Sequence, residues 1–102
     1  MDHKIIWSPN AVADLDTIAA YIARDSETYA AAVVGRTLDQ VQMLARFPRA
    51  GRVVPEFELE NVRELIVYSY RVIYRVAPGQ ITIAAVIHGA RQLTNVLPSP
   101  PT

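Results

Sequence analysis

The chain has 102 residues, of which 51% are hydrophobic and 20% are charged, a composition that indicates one globular domain and leaves no room for a second core. Ten Lys and Arg against ten Asp and Glu give zero net charge, and the chain has no cysteine, which argues against a strongly basic nucleic-acid-binding domain, a disulfide framework and a cysteine-ligated metal site. No apolar run approaches the roughly 18 residues of a membrane helix, and Pro9 and Asp14 interrupt any signal-peptide core, so we expect a cytoplasmic protein.

The N-terminal part of the chain predicts a strand followed by a helix. Residues 5–7 form a short apolar run typical of a strand. Ser8-Pro9 then offers a hydroxyl N-cap and a proline at the first helical position. Behind this cap, four apolar residues recur at the spacing of one helix face: Ala11, Leu15, Ile18 and Ile22.

A second apolar stripe follows a turn at residues 24–26 and predicts a helix over roughly residues 26–46. The residues of this stripe are Ala30, Val34, Leu38, Val41 and Leu44. Because the connecting turn is short, the two helices should form an antiparallel hairpin.

The C-terminal half predicts three strands after an irregular loop. Pro48 and Gly51 end the second helix, and residues 48–61 are expected to form the loop. Three strand-like runs follow, at residues 62–68, 71–77 and 81–88. Pro78-Gly79 suits a hairpin turn between the last two.

The order β-α-α-β-β-β predicts an α+β fold. In this fold the helical hairpin packs on one face of a mainly antiparallel four-stranded sheet. Residues 1–97 should form the single domain, and the proline-rich residues 98–102 should be a frayed tail.

The last hairpin predicts which side chains share a face of the sheet. If Ala77 and Gln80, which flank the Pro78-Gly79 turn, pair with each other, Arg71 lies opposite Val86. One face is then apolar and should lie against the helices: Tyr70, Val72, Tyr74 and Val76 with Ile81, Ile83, Ala85 and Ile87. On the other face, Arg71, Arg75 and His88 should project together into solvent.

The polar face has two interpretations. It is either the solvated side of an ordinary antiparallel sheet or an anion-binding surface that cleaves RNA. In the second case Arg71 would stabilise the phosphate, His88 would act as general acid, and Glu56 or Glu64 would act as general base. No acidic cluster accompanies either histidine in the sequence, so we expect no metal ion or other cofactor.

Short motifs follow one another in order between about residues 3 and 93. They are Trp7-Ser8-Pro9, Asp14-Leu15, Tyr21-Ile22, Phe47-Pro48 with Gly51-Arg52, Val54-Pro55-Glu56, Arg63-Glu64, Tyr70-Arg71-Val72-Ile73-Tyr74 and His88-Gly89-Ala90-Arg91. Together they resemble the RelE/ParE toxin superfamily, the toxins of bacterial type II toxin–antitoxin and plasmid-stabilisation modules. The resemblance implies the same β-α-α-β-β-β layout.

Two activities are known in the superfamily that the chain resembles. RelE-like members cleave mRNA in the ribosomal A site without a metal, some with a Glu–Arg–His set, and Glu56, Arg71 and His88 fall where that set would lie. ParE-like members inhibit DNA gyrase instead, and the ending His88-Gly89-x-Arg91 resembles theirs. Zero net charge also favours ParE, because a ribosome-binding toxin gains affinity by neutralising phosphates. We therefore favour a non-enzymatic gyrase inhibitor, with a ribosome-dependent mRNA endoribonuclease as the alternative.

The resemblance also implies a partner, a cognate antitoxin that is ParD-like or a related small protein and that forms a hetero-oligomer with the toxin. We expect an acidic or amphipathic segment of it to bind beside the first helix and on the arginine face. The expected contact residues are Ala11, Leu15, Ile18, Arg63, Arg71, Arg75 and Arg91. An interaction domain without toxicity is the third interpretation.

Overall fold

A computed structural model describes residues 2–91, 93 and 100–101 of the chain. Within these residues the elements are β1 Lys4–Trp7, α1 Pro9–Ala23, α2 Glu27–Met43, β2 Arg52–Val53, β3 Val62–Val67, β4 Tyr70–Ala77 and β5 Gln80–His88. The predicted α+β class is confirmed. Most of the tail predicted at residues 98–102 lies outside the described residues, which include only positions 100 and 101 of it.

The strands form one mixed sheet in the order β1-β5-β4-β3-β2. β1 runs parallel to β5, and the other neighbouring strands are antiparallel. The described residues form five strands where four were predicted, because Arg52–Val53 pairs with β3 inside the predicted loop. A strand of two residues is too short to produce an alternating hydrophobic pattern, so its sequence carries no signal for β2.

Each helix begins after a serine cap, the predicted Ser8 for α1 and Ser26, at the end of the predicted turn, for α2, and both helices cover one face of the sheet. Ser8 Oγ accepts from the Ala11 amide and Ser26 Oγ from the Tyr29 amide, each at 3.0 Å. The core of this helix-covered face consists of Ala11, Val41, Leu44, Leu65, Val67, Val72, Tyr74, Ile81, Ile83 and Val86. In the described part of the chain, no helix is long and apolar enough to cross a membrane.

A β-bulge interrupts the pairing of β4 with β5. The predicted register holds from the turn as far as the pair Tyr74 and Ile83, and then shifts by one residue. Ile73 pairs with Ala85, and Arg71 pairs with Ile87 instead of Val86. Since side chains alternate along a strand, the extra residue moves every later side chain of β5 to the opposite face.

Side chains of α1 stabilise this bulge. β1 ends at Trp7, opposite Ile83, so the rest of β5 has no neighbouring strand on that side. Ser8 Oγ and Asn10 Nδ2 donate to the Ala84 carbonyl at 3.2 and 3.3 Å. Asp14 Oδ2 accepts from the Val86 amide at 3.0 Å. The start of α1 therefore satisfies the backbone groups that a further strand would satisfy.

The other face of the sheet is covered as well, and the predicted open polar face is wrong. A second apolar cluster lies there: Val54, Val62, Ile73, Ala85, Ile87 and Leu93, with Phe57 packed against it. Val54 and Phe57 belong to the loop that follows β2, so we call this side the loop-covered face. The bulge explains the error, because it brings Ala85 and Ile87 to this face and turns Val86 toward the helices.

Candidate functional site

Arg71 on β4 is the centre of an ion-pair network on the loop-covered face. Its Nε donates to Glu64 Oε1 at 2.5 Å, and its two terminal nitrogens each donate to the Glu56 carboxylate at 2.8 Å. Arg52 Nε donates to the second Glu64 oxygen at 2.5 Å. The Arg71 and Glu64 side chains are only 8% and 0% exposed. We call Arg52, Glu56, Glu64 and Arg71 the arginine network.

Strand register brings the network together. Arg52 of β2 pairs directly with Glu64 of β3. Arg71 pairs with Ile66, two residues along β3 from Glu64, which places the two charged side chains within reach of each other. Glu56 comes from the loop after β2, and its Oε2 also accepts from the Leu93 amide at 3.2 Å.

The network holds its charges in the ionised state. Hydrogen bonds from Arg71 lower the pKa of the Glu56 carboxyl from 4.5 to about 2, against the opposing effect of burial. The same bonds raise the pKa of the Arg71 guanidinium, with a further contribution from Glu64. A carboxylate with so low a pKa accepts a proton poorly at neutral pH. Glu56 is therefore suited to holding Arg71 and not to acting as a general base.

A cleft of about 490 Å³ lies over the network. Arg52 and Arg91 are among its lining residues, and both are exposed. Ile66, which is 56% exposed, and Pro55 add apolar surface. We call this the arginine cleft, and its chemistry suits a segment that carries acidic side chains next to aliphatic ones.

His88 lies on the other side of the sheet from Arg71. It pairs with Tyr70 at the end of β5, and the two rings are 5.7 Å apart in an edge-to-face arrangement. Its Nδ1 accepts from the Ala90 amide at 3.1 Å. The expectation that Arg71, Arg75 and His88 project together from one open face is therefore wrong, because the bulge separates Arg71 from His88.

The predicted contact residues of α1 divide between core and surface. Ala11 and Leu15 are 0% and 8% exposed, so their side chains lie in the core and leave little surface for a partner. Ile18 is half-buried and lines a cleft of about 340 Å³ between α1 and the end of β5. Only Ile18 of the three lies where a partner could contact it.

The predicted contact arginines also differ in their surroundings. Arg63 donates from Nε to the Glu60 carbonyl at 3.0 Å and from a terminal nitrogen to the Gly51 carbonyl at 2.9 Å, so it joins the loop to the sheet. Arg75 is half-buried beside Thr82, away from the arginine cleft. Arg91 is exposed and lines that cleft.

Arg52 and Ile66 are site residues that the sequence analysis missed. Arg52 lies in the predicted irregular loop, and its position depends on its pairing with Glu64 across β2 and β3. Ile66 lies in the strand predicted at residues 62–68, and nothing in the sequence marks it as exposed. The charges of the arginine network are visible in the sequence, but their meeting depends on the strand register and, for Glu56, on the path of the loop after β2.

A search for similar proteins gives a consistent result along almost the whole chain. The profile of a family described as "ParE toxin of type II toxin-antitoxin system, parDE" matches residues 5–93. The protein Y4kP of Sinorhizobium fredii is 34% identical over 96 residues, which cover 92% of this chain and 96% of that protein. Toxin RelE2 of Caulobacter vibrioides is 33% identical over 89 residues, which cover 86% of this chain and 97% of that toxin.

A solved structure shares the fold. It is described as the chromosomal ParDE TA system from P. aeruginosa, and its matching chain is 26% identical to this one with a TM-score of 0.69. The match covers 84% of this chain and 95% of the other.

Proposed function

This chain belongs to the ParE toxin family of type II toxin–antitoxin systems, and we propose that it acts by binding DNA gyrase and not by cutting RNA. In this proposal the toxin inhibits its target through a protein–protein contact in the cytoplasm. A cognate antitoxin, ParD-like or a related small protein, binds the toxin and prevents that contact.

The observation that carries the proposal is the state of Arg71. Three of its donor groups are directed at the carboxylates of Glu56 and Glu64. A guanidinium that stabilises the phosphate of a reacting RNA needs donors directed at that phosphate. A phosphate would have to compete with two carboxylates that already engage all three nitrogens of the Arg71 guanidinium.

The other two members of the RelE-like set support the same conclusion. Glu56 remains an ion with a pKa of about 2, far below the neutral range that suits a general base. His88 lies on the opposite side of the sheet, beside Tyr70. Arg71, Glu56 and His88 therefore do not surround one reaction centre in this fold.

The arginine cleft is the surface that we propose for the antitoxin. Arg52 and Arg91 would bind acidic side chains, while Ile66 and Pro55 would contact aliphatic ones. Arg63 and Arg71, which were also expected to bind the antitoxin, act inside the toxin and position its loop and network.

Two assays on the purified toxin distinguish gyrase inhibition from the alternative, mRNA cleavage. The wild-type toxin should inhibit supercoiling by DNA gyrase and leave mRNA intact in a cell-free translation reaction. His88→Ala should behave like the wild type in the mRNA assay, because that side chain has no catalytic role in this proposal.

Codon-linked mRNA cuts that disappear in His88→Ala would instead establish the RelE-like endoribonuclease. Normal supercoiling, intact mRNA and normal growth would favour an interaction domain without toxicity. Addition of the cognate antitoxin should restore supercoiling, and Arg91→Ala should raise the antitoxin concentration that is needed.

A further inference from the structure

Four of the five tyrosines of the chain meet at one end of the molecule. They come from four elements, and we call them together the tyrosine end: Tyr21 on α1, Tyr29 on α2, Tyr68 in the β3–β4 turn and Tyr70 on β4. The rings of Tyr29 and Tyr68 are 5.8 Å apart and meet edge to face. A cleft of about 300 Å³ lies between these elements and is lined by Tyr21, Tyr29, Tyr70 and His88.

The aromatic rings of this end are left largely in solvent. Tyr21 is 67% exposed, Tyr29 45% and Tyr68 47%. Tyrosine is enriched in the buried centre of protein interfaces, because its ring gives a large rigid contact and its hydroxyl can hydrogen-bond a partner's backbone. A group of exposed tyrosines around a cleft is therefore typical of a protein-binding surface.

The conformation of Tyr68 is a second and independent observation. Tyr68 and Ser69 form the two-residue turn between β3 and β4, and Tyr68 has a φ of +54°. Glycine adopts this left-handed conformation without a steric penalty, whereas a bulky side chain is strained in it. Because the ring is half-exposed, its burial offsets little of this backbone strain. A two-residue hairpin turn needs a positive φ, which glycine would supply without strain, so the presence of a tyrosine here points to a role for its ring.

The charges at the tyrosine end indicate what kind of partner it fits. Arg24 lies over the Tyr21 ring at 5.8 Å, Asp25 lines the cleft, and Glu27 lies in the first turn of α2. One cation and two anions give no positive excess, so the phosphates of a nucleic acid would not be attracted here. With a net charge of −1 beside exposed aromatic rings, the surface suits an apolar protein segment that carries no acidic side chains.

We infer that the tyrosine end is the surface with which this toxin contacts its protein target, through an uncharged apolar segment of that target. The inference rests on the proposed function. The arginine cleft lies on the loop-covered face and suits an acidic segment, whereas the tyrosine end suits an uncharged one. The toxin would then recognise its antitoxin and its target by different chemistry.

Two substitutions test the surface, with a third as the matched control. Tyr68→Gly removes the ring and relieves the strained φ, so its melting temperature should not fall below that of the wild type. Tyr21→Ala removes the most exposed ring. Phe47→Ala removes a ring that is 58% exposed beyond the C-terminal end of α2, at the other end of that helix from Tyr29.

The variants are compared in three measurements: gyrase binding, binding of the cognate antitoxin, and growth arrest on expression without antitoxin. Tyr68→Gly and Tyr21→Ala should each weaken gyrase binding about tenfold or more, as loss of an interface hot spot does. Both should lose growth arrest. The antitoxin affinity of Tyr68→Gly should change less than about threefold, because Tyr68 lines neither the arginine cleft nor the cleft that Ile18 and Arg91 line. Phe47→Ala should match the wild type in all three.

Variants that bind gyrase and arrest growth like the wild type would overturn the inference. A loss confined to antitoxin binding would also overturn it and assign the tyrosine end to the antitoxin. If the wild type fails to bind gyrase, the proposed function fails, and growth arrest then decides the inference alone. Growth arrest that requires Tyr21 and Tyr68, with no mRNA cleavage, would support a different protein target. Cleavage of mRNA by the wild type would overturn both the proposed function and the inference.

Discussion

The helix-covered face of the sheet is buried mainly by apolar side chains, whereas the loop-covered face combines a smaller apolar cluster with the arginine network. Apolar burial does not depend on the ionisation of side chains. The second face depends on four charges that must stay paired, because Glu64 and Arg71 are buried. The two faces of one sheet should therefore respond differently to mutation and to pH.

The comparison also separates stability from recognition. The arginine network holds the loop after β2 and the residue Leu93 against the sheet through Glu56. Arg52 and Arg91 are exposed and line the neighbouring cleft, although Arg52 also donates to Glu64. Arginines that are alike in the sequence thus differ in burial, since Arg71 is enclosed in the network whereas Arg91 is exposed.

Arg71→Met is expected to have the largest effect on stability. It removes one of the two arginines that pair with the buried Glu64 and leaves Glu56 without its bidentate partner. Removing one partner of a buried ion pair costs about 3–5 kcal/mol of unfolding free energy. Urea denaturation at pH 7 measures the loss, and Arg91→Met, which changes an exposed arginine, should cost less than about 0.5 kcal/mol. Equal stability of Arg71→Met and the wild type would show that the network does not hold the loop-covered face.

Leu44→Ala tests the helix-covered face in the same way. Leu44 is 0% exposed and belongs to the main core. Its truncation should lower the free energy of unfolding by about 3 kcal/mol, the typical cost of a leucine-sized cavity. The loss should be the same at pH 7 and pH 4, because no ionisable group is removed. A loss that changed with pH would contradict the division between the two faces.

The two helices and the last hairpin could be predicted from the sequence, because short local signals mark where they begin or turn. Ser8 and Ser26 mark the starts of both helices, and Pro78-Gly79 marks the last hairpin, where Gly79 has a φ of +72°. The stripe of α2 was predicted less well. Thr37 is buried in place of Leu38, which is 47% exposed. Thr37 Oγ1 donates to the Val33 carbonyl at 2.7 Å, and this bond makes its burial acceptable.

The candidate site could not be predicted in the same way, because it depends on a single residue of register. The predicted face of Arg71 with His88 required an uninterrupted β4–β5 ladder, and the bulge at Ala84 breaks it. The groups that stabilise the bulge, Ser8, Asn10 and Asp14, are more than 70 residues away in the chain. A short-range pattern does not contain such a contact.

Acid should destabilise the loop-covered face, an effect that we expect to be smaller than either core substitution. The pKa of Glu56 is about 2 in the folded protein and 4.5 as an ordinary side chain. Its contribution is therefore complete above about pH 4.5 and is lost as the pH falls toward 2. Glu56→Gln lacks this contribution, so the stability difference between wild type and variant should shrink between pH 5 and pH 2 in urea titrations. Parallel pH profiles would contradict the lowered pKa.

Asp14→Ala should have the smallest effect, and it tests the bulge that separates the two faces. The variant leaves the amide of Val86, a residue that is 3% exposed, without its acceptor. A buried donor that loses its acceptor costs about 1–3 kcal/mol, and we expect the lower half of that range because α1 keeps its bonds to Ala84. Asp14→Asn should recover most of the loss, since its amide oxygen can accept the same bond.

Hydrogen exchange of the Val86 amide distinguishes this cause from a general loss of helix stability. The amide should exchange faster in Asp14→Ala and return toward the wild-type rate in Asp14→Asn, while amides in the middle of β3 keep their rates relative to global unfolding. Unchanged exchange at Val86 would show that α1 does not hold the bulge. The register shift that places Arg71 and His88 on opposite sides of the sheet would then have to come from the strands alone.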